Sequence, residues 1–234
     1  MSVSTWPSPY KALVVGSTGA IGGAFVQHLQ TDPHCMEVKG ISREHPSGFD
    51  LEDCSSFERL AQALAPDAPF DLVIDATGAL DIDGMGPEKS LAALDREHLL
   101  QSFSVNAVGP ILLMRQLVGL MSTGDSVYAK LSARVGSIAD NRKGGWYGYR
   151  ASKAALNMFL QTAAVEVQRK RPSLRVVAMQ PGTVRSRLSA PYTSGLSQVL
   201  EPQAAVEAMM NVLSQLPLQT GAKFLDYKGQ AIAW

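Results

Sequence analysis

"ALVVGSTGAIGGAFVQHLQ", residues 12–30, sets four consecutive apolar residues directly before a glycine-rich turn and a helical pattern. The run "ALVV" shows no polar alternation, as expected of a strand buried on both faces of a parallel sheet. Gly16, Gly19, Gly22 and Gly23 punctuate the turn. A strand feeding a helix through glycines lets the backbone come close to a pyrophosphate, and the helix N-terminus presents free N–H groups and a partial positive charge. The spacing is G-x-x-G-x-x-G rather than G-x-G-x-x-G, so on its own the turn also fits a plain flexible connection. Its place after the first strand of an alternating pattern points to a dinucleotide.

That alternation runs through the chain. "MEVKGI" (36–41), "FDLVIDA" (70–76), "SVYAKLSA" (126–133), "LRVVAMQPG" (174–182) and "AKFLDY" (222–227) read as strands. "FERLAQAL" (57–64), a long region from about Leu91 to Met121 bent near Gly109–Pro110, and "AAVEAMMNVLSQL" (204–216) read as helices. A further helix begins near Tyr147, with Leu156, Phe159, Leu160, Ala163 and Val167 expected on its buried stripe. Strands alternating with helices predict an α/β fold, a doubly wound Rossmann-type parallel sheet with right-handed crossovers. No low-complexity linker, charge block or internal repeat divides the chain. The expectation is a loose N-terminal segment over 1–10 and one domain over 11–234. Between the second strand and "FDL" (49–51) only "SREHPSG" (42–48) intervenes, too few residues for a full crossover helix.

Lys plus Arg and Asp plus Glu both number 21, giving zero formal net charge, which argues against nucleic acid or an anionic membrane as partner. No apolar run reaches membrane-spanning length. Cys35 and Cys54 form no CxxC pair, and His28, His34, His45 and His98 show no metal spacing, so no metal is expected. Both cysteines are expected as buried small hydrophobes, and the absence of an apolar leader predicts a cytoplasmic protein.

The choice of dinucleotide turns on the end of the second strand. A Rossmann site for NAD usually places Asp or Glu there, about 20 residues beyond the glycines, on the ribose hydroxyls. Here Ser42 and Arg43 stand instead. A carboxylate would repel a 2′-phosphate, whereas a guanidinium binds it by charge-assisted hydrogen bonds. The prediction is NADP; the blander reading makes Arg43 a solvated strand-end charge.

"YGYRASKAAL" (147–156) puts Tyr149 and Lys153 at i and i+4, on one helix face. A free phenol titrates near 10, and a neighbouring ammonium favours the phenolate. Such a pair can arise by chance on an amphipathic helix, so its neighbours decide.

Those neighbours bear a family resemblance. "GSTGAIG" (16–22), "NAVGP" (106–110), "YRASKAALN" (149–157) and "QPGTV" (180–184) stand in the order and spacing of the short-chain dehydrogenase/reductase family. "GPEKSLAALDREHLLQSFSVNAVGP" (86–110) and "LDYKGQAIAW" (225–234) are similar to its C-factor or sniffer-like carbonyl-reductase branch. The resemblance covers nearly the whole chain from about Lys11. It implies about seven strands and hydride transfer at a carbonyl or alcohol, with a small-molecule substrate and a homodimer or homotetramer. Tyr149 would be the general acid/base. Lys153 would lower its pKa and hold the nicotinamide ribose, and Asn106 would hold a water in the proton relay. The cofactor would meet Gly16, Ser17, Gly19, Ala20, Ile21 and Gly22 in the turn, Ser42 and Arg43 at the second strand, and Asp50 and Leu51 beside the adenine. Ala76, Thr77 and Gly78 would follow the next strand, and Pro181, Gly182, Thr183 and Val184 would flank the nicotinamide.

Three departures stand out. Ala20 replaces the middle glycine of the turn, and "DATG" (75–78) stands where "NNAG" is common. The family's catalytic serine aligns with Ala133. Ser132 is the favoured substitute, although neighbouring strand residues face opposite sides, and Ser137 comes second. If neither reaches, one oxyanion donor is missing. The leading function is an NADP(H)-dependent carbonyl reductase or alcohol dehydrogenase. A nucleotide-binding signalling or scaffold protein with little turnover is the alternative, and a sugar-nucleotide epimerase or dehydratase ranks last. The segments 80–90 and 185–195 are expected to line the pocket.

Overall fold

The computed structural model describes residues 6–195 and 198–234. Six strands, β1 (Tyr10–Val15), β2 (Cys35–Ile41), β3 (Leu72–Asp75), β4 (Ser126–Leu131), β5 (Leu174–Gln180) and β6 (Lys223–Asp226), form one sheet in the order β2-β1-β3-β4-β5-β6. Every neighbouring pair is parallel. Six α-helices cover it: α1 (Ala20–Thr31), α2 (Cys54–Leu64), α3 (Arg96–Phe103), α4 (Gly109–Leu117), α5 (Tyr147–Val167) and α6 (Pro202–Leu213).

Alternate residues of β1 sort the core into two layers. Leu13 and Val15 pack with Leu60 of α2, Leu113 and Leu117 of α4, and Leu156 and Leu160 of α5. Ala12 and Val14 pack with Phe25 and Leu29 of α1 and with Val206 and Met209 of α6. Period-2 strands thus bury both faces between helical layers.

The chain reverses its direction across the sheet between β1 and β3, and a crevice opens there at the carboxyl ends of the strands. The two loops at that switch touch. Gly16, at φ +83°, lies so close that an added Cβ would stand 3.1 Å from the Ala76 carbonyl carbon, and Ala76 N–H donates to Val15 at 2.9 Å.

The resemblance implied about seven strands; the described residues contain six. The stretch from Ser42 to Asp53 forms neither strand nor helix, consistent with the missing crossover. Phe49 plugs the core from this link, while Ser56 accepts from Asp50 N–H and donates to its carbonyl. β2 is therefore a sheet edge. Its Glu37 and Lys39, paired with each other and with Lys11 and Asp67, blunt strand addition.

Arg96 to Leu120 is one continuous helical rod whose middle, Ser104–Val108, widens to a π-turn. Gly109 N–H reaches back to the Ser104 carbonyl, and Pro110 has no N–H to return to the Asn106 carbonyl. The rod is long and apolar enough to cross a membrane by length and composition; Leu113, Met114 and Leu117 bury one side of it in the core.

Other expectations shift. Trp6 is buried and packs on Tyr10 with ring centroids 5.5 Å apart, so residues 6–10 of the expected loose segment are anchored; Met1 to Thr5 lie outside the described residues. Cys54 opens α2 exposed and Cys35 is half-buried, so neither is a core residue. On α5 the buried stripe is Ser152, Lys153, Leu156, Leu160 and Ala164, with Phe159 at the margin.

α1 packs so tightly on its turn that a Cβ at Gly22 would fall 2.1 Å from the Gly16 carbonyl oxygen, whereas nothing lies within 4 Å of one at Gly119. Gly22→Ala should lower urea stability by about 1–3 kcal/mol. Gly119→Ala should leave it unchanged or raise it by a few tenths of a kcal/mol.

Candidate active site

Three segments far apart in sequence meet at the crevice. Asn106 is fully buried in the π-turn; its side chain donates to Ala79 O at 2.8 Å and accepts from Ala79 N–H at 3.0 Å. Gly78, at φ +139°, lies beneath it, where a Cβ would stand 3.1 Å from Asn106 Oδ1 and 3.2 Å from Lys153 Nζ. Lys153 Nζ is directed to the Leu131 carbonyl at 3.4 Å and lies 5.7 Å from the Tyr149 ring centroid. Gly78, Asn106, Tyr149 and Lys153 thus form one cluster at the mouth of β3 and β4.

The helix presenting Tyr149 is aimed by a loop residue the sequence did not flag. Glu88 Oε2 accepts from Gly148 N–H at 2.9 Å, and the Glu88 carbonyl accepts from Trp146 N–H. A carboxylate at a helix N-terminus satisfies a free donor and meets the positive end of the helix dipole. Gly148 admits it, since a Cβ there would be 2.8 Å from Glu88 Oε1. Behind it, buried His98 of α3 places Nε2 3.6 Å from the same oxygen. Gly144, Gly145 and Trp146 all adopt positive φ, so the chain enters α5 through a tight left-handed bend. Trp146 then packs edge-on against Tyr149 and, at 5.0 Å, against Tyr192 of the 185–195 segment. Both predicted pocket segments therefore reach the Tyr149 end of α5.

The serines do not. Ser132 Oγ donates to Asn157 Oδ1 at 2.7 Å, two helical turns beyond Tyr149. Ser137 accepts from Asp140 N–H and lines a cavity with Tyr147, Ala151 and Ala154. Ala133 alone continues from β4 with no hydroxyl to offer.

Along the expected cofactor path, Thr18, Gly19 and Ala20 are exposed, and no side chain caps the first turn of α1. Gly40 passes within a methyl group of Ser17. Arg43 is exposed at the end of β2, and the Ser42 hydroxyl accepts from Glu44 N–H. Leu51 O lies against Gly109, where a Cβ would come within 2.7 Å, so the 50–51 link rests on the start of α4. Gly182, at φ +81°, sits in the loop whose Thr183 carbonyl accepts from Leu200 N–H.

Burial sets both charges at the centre. It pushes the Tyr149 phenol up to about 12, and it pulls the Lys153 amine down to about 7, helped by nearby Lys130 and opposed by Asp75. The ammonium expected to lower the phenol does not do so in the protein alone. Its sign has a stability consequence. Below about pH 7 the amine is charged in folded and unfolded chains, and the fold bears the cost of burying it. Above its usual 10.5 it is neutral in both and the cost vanishes. Lys153→Met should therefore exceed the parent in stability by roughly 3–5 kcal/mol below pH 7. That gap should close as denaturant midpoints are followed up to pH 10.5.

The family model described as short chain dehydrogenase matches residues 34–196. C-signal of Myxococcus xanthus is 29% identical over 71% of this chain and 93% of its own length. A putative short-chain dehydrogenase/reductase from Burkholderia multivorans, solved with bound NADP, is 26% identical with a TM-score of 0.82, covering 97% of this chain and 100% of that one. The carbonyl reductase Sniffer of Drosophila melanogaster superposes with a TM-score of 0.81 at 21% identity, over 97% of this chain and 100% of its own. Because the family match takes in well over half the sequence and runs unbroken through Asn106, Tyr149 and Lys153, the chain belongs to the short-chain dehydrogenase family.

Proposed function

We propose that the chain is an NADP(H)-dependent oxidoreductase that interconverts a small carbonyl compound and its alcohol, with Tyr149 as the general acid/base. The packing of Tyr149, Lys153 and Asn106 around Gly78 carries the reading. The crevice suits the dinucleotide: an uncapped helix N-terminus faces out beside a glycine turn too tight for side chains, and Arg43 stands free at the 2′-phosphate end. The NADP in the Burkholderia relative supports the same choice.

Gly16, Ser17, Gly19, Ala20, Ile21 and Gly22 would hold the pyrophosphate, Ser42 and Arg43 the 2′-phosphate, and Asp50 and Leu51 the adenine. Ala76, Thr77 and Gly78 would line the ribose side, with Pro181, Gly182, Thr183 and Val184 beside the nicotinamide. Bound there, NADPH supplies the hydride. Tyr149 supplies the proton: a phenol held near 12 is fully protonated at neutral pH, the form that donates to a developing alkoxide. Lys153, pulled down to about 7 and so present in both charge states near neutral pH, can take up and pass on a proton as it binds the ribose, and Asn106 would fix the loop and a relay water. Trp146 and Tyr192 wall the substrate side with apolar rings. Exposed Leu100, Val108 and Met158 on α3, the π-turn and α5 suit a homodimer or homotetramer, which light scattering of the purified protein will measure.

One observation favours a second reading, a nucleotide-binding signalling protein with little turnover: neither Ser132 nor Ser137 replaces the hydroxyl missing at Ala133. Loss of such an oxyanion donor costs ~10²-fold in rate. NADPH oxidation against a panel of ketones, quinones and aldehydes separates the readings, and tight NADPH binding without turnover of any member selects the second. In the enzyme, Tyr149→Phe should cut kcat by at least ~10²–10⁴-fold while leaving NADPH binding intact. Ser132→Ala should stay within about threefold of the parent, and Ala133→Ser should raise kcat by about tenfold or more. Arg43→Ala should raise KM for NADPH but not for NADH; equal effects on both cofactors would remove the 2′-phosphate assignment.

A further inference from the structure

Beneath the cofactor loop lies a buried ion pair that the proposed reaction does not use. Lys130 of β4 and Asp75 of β3 are both fully buried, with Nζ 2.9 Å from Asp75 Oδ1. The same amine reaches Thr77 O at 2.6 Å and Thr77 Oγ1 at 2.9 Å, and the Thr77 hydroxyl donates to Asp75 Oδ1. Three oxygens within 2.9 Å use all three donors of an ammonium. Burial pulls Lys130 down and Asp75 pulls it up; the three oxygens around its amine favour the charged form.

We propose that Lys130 and Asp75 are positioning residues for the active site: together they fasten the Asp75–Thr77 strand end that carries Gly78, and through it they set the surroundings of the Lys153 amine. Two observations support this. First, the loop is gripped at both ends, by Lys130 at Asp75 and Thr77 and by Asn106 at Ala79, so Gly78 is held in contact with Lys153 between them. Second, the two amines meet neighbouring backbone: Lys130 binds Thr77 O, next to the Gly78 that borders Lys153, and Lys153 is directed to the carbonyl of Leu131, the residue after Lys130 in β4. The groups facing the Lys153 amine are Tyr149 on its own helix, Lys130 on β4 and Asp75 on β3. Tyr128, fully buried and kept a neutral phenol by burial and then by Asp75, closes the far side of the carboxylate. After burial, Lys130 is the largest influence lowering Lys153, and Asp75 opposes it.

This rests on Lys153 being the working amine of the proposed reaction, so the test reads the amine directly. Lysine labelled with ¹³C at Cε is followed by NMR titration in the full-length protein, with the Lys153 signal assigned by Lys153→Arg. Lys130→Met should raise the Lys153 midpoint by about one pH unit. Asp75→Asn should lower it, and the double variant Asp75→Asn, Lys130→Met should fall between Lys130→Met and the parent. All three should weaken NADPH binding about tenfold, the equivalent of one lost hydrogen bond. Lys130→Met strands a buried carboxylate; if it fails to fold, the neutral double variant must still raise the midpoint above the parent. A Lys153 midpoint that stays at the parent value in a folded variant lacking Lys130 overturns the proposal and leaves the pair a purely structural one. If the midpoint moves while the parent reduces no carbonyl, the inference stands and the proposed reaction falls.

Discussion

A backbone without a side chain, at Gly78, lets three segments share one space. At φ +139° any other residue would be strained there, and its Cβ would crowd Asn106 Oδ1 and Lys153 Nζ at 3.1 and 3.2 Å. Much of the local architecture serves that contact. The π-turn rotates Asn106 inward so that its amide can take both polar groups of Ala79, and Pro110 removes the donor that would otherwise close a regular α-turn there. The left-handed entry to α5 and the Glu88 carboxylate fix where Tyr149 and Lys153 stand along the helix. None of these features is needed for a parallel sheet to fold. They are needed for a phenol, an amide and an amine to converge.

Convergence changes what those groups are. With Lys153 buried and Tyr149 half-buried, desolvation moves both toward their neutral forms, one upward and one downward. A neutral phenol thus stands beside an amine that titrates near 7 and so exists in both charge states at neutral pH. In the proposed reaction the phenol delivers its proton to the carbonyl oxygen, and the ammonium form of Lys153 returns a proton to the phenolate left behind.

Much of this was legible in the sequence. The six strands fall where "ALVV", "MEVKGI", "FDLVIDA", "SVYAKLSA", "LRVVAMQPG" and "AKFLDY" put them; the central strands are buried on both faces and need near-continuous apolar stretches, while edge strand β2 mixes apolar with charged residues. Tyr149, Lys153 and Asn106 carry motif spacing and meet as expected. What escaped has local causes. The stretch after Ser42 is too short for a crossover, and nothing in its composition says whether it would still pair as a strand. Phe159 and Leu160 are both apolar, and the helix face shared by Leu156, Leu160 and Ala164 puts Leu160 inside and leaves Phe159 exposed. Ser132 is near Ala133 in sequence, but the pleat sends its hydroxyl to Asn157. Glu88 and Gly148 lie far apart in the chain, as do Asp75 and Lys130, and no periodicity links such partners.

The Glu88 contact makes the loop over the pocket and the helix bearing the phenol a single mechanical part. Lengthening or grafting the segment between Gly78 and Glu88 would displace not just a wall of the pocket but the proton donor itself. Attempts to redirect this scaffold to new compounds would therefore preserve the anchor at Glu88 and vary residues 80–85, so that selectivity can drift without detuning the chemistry.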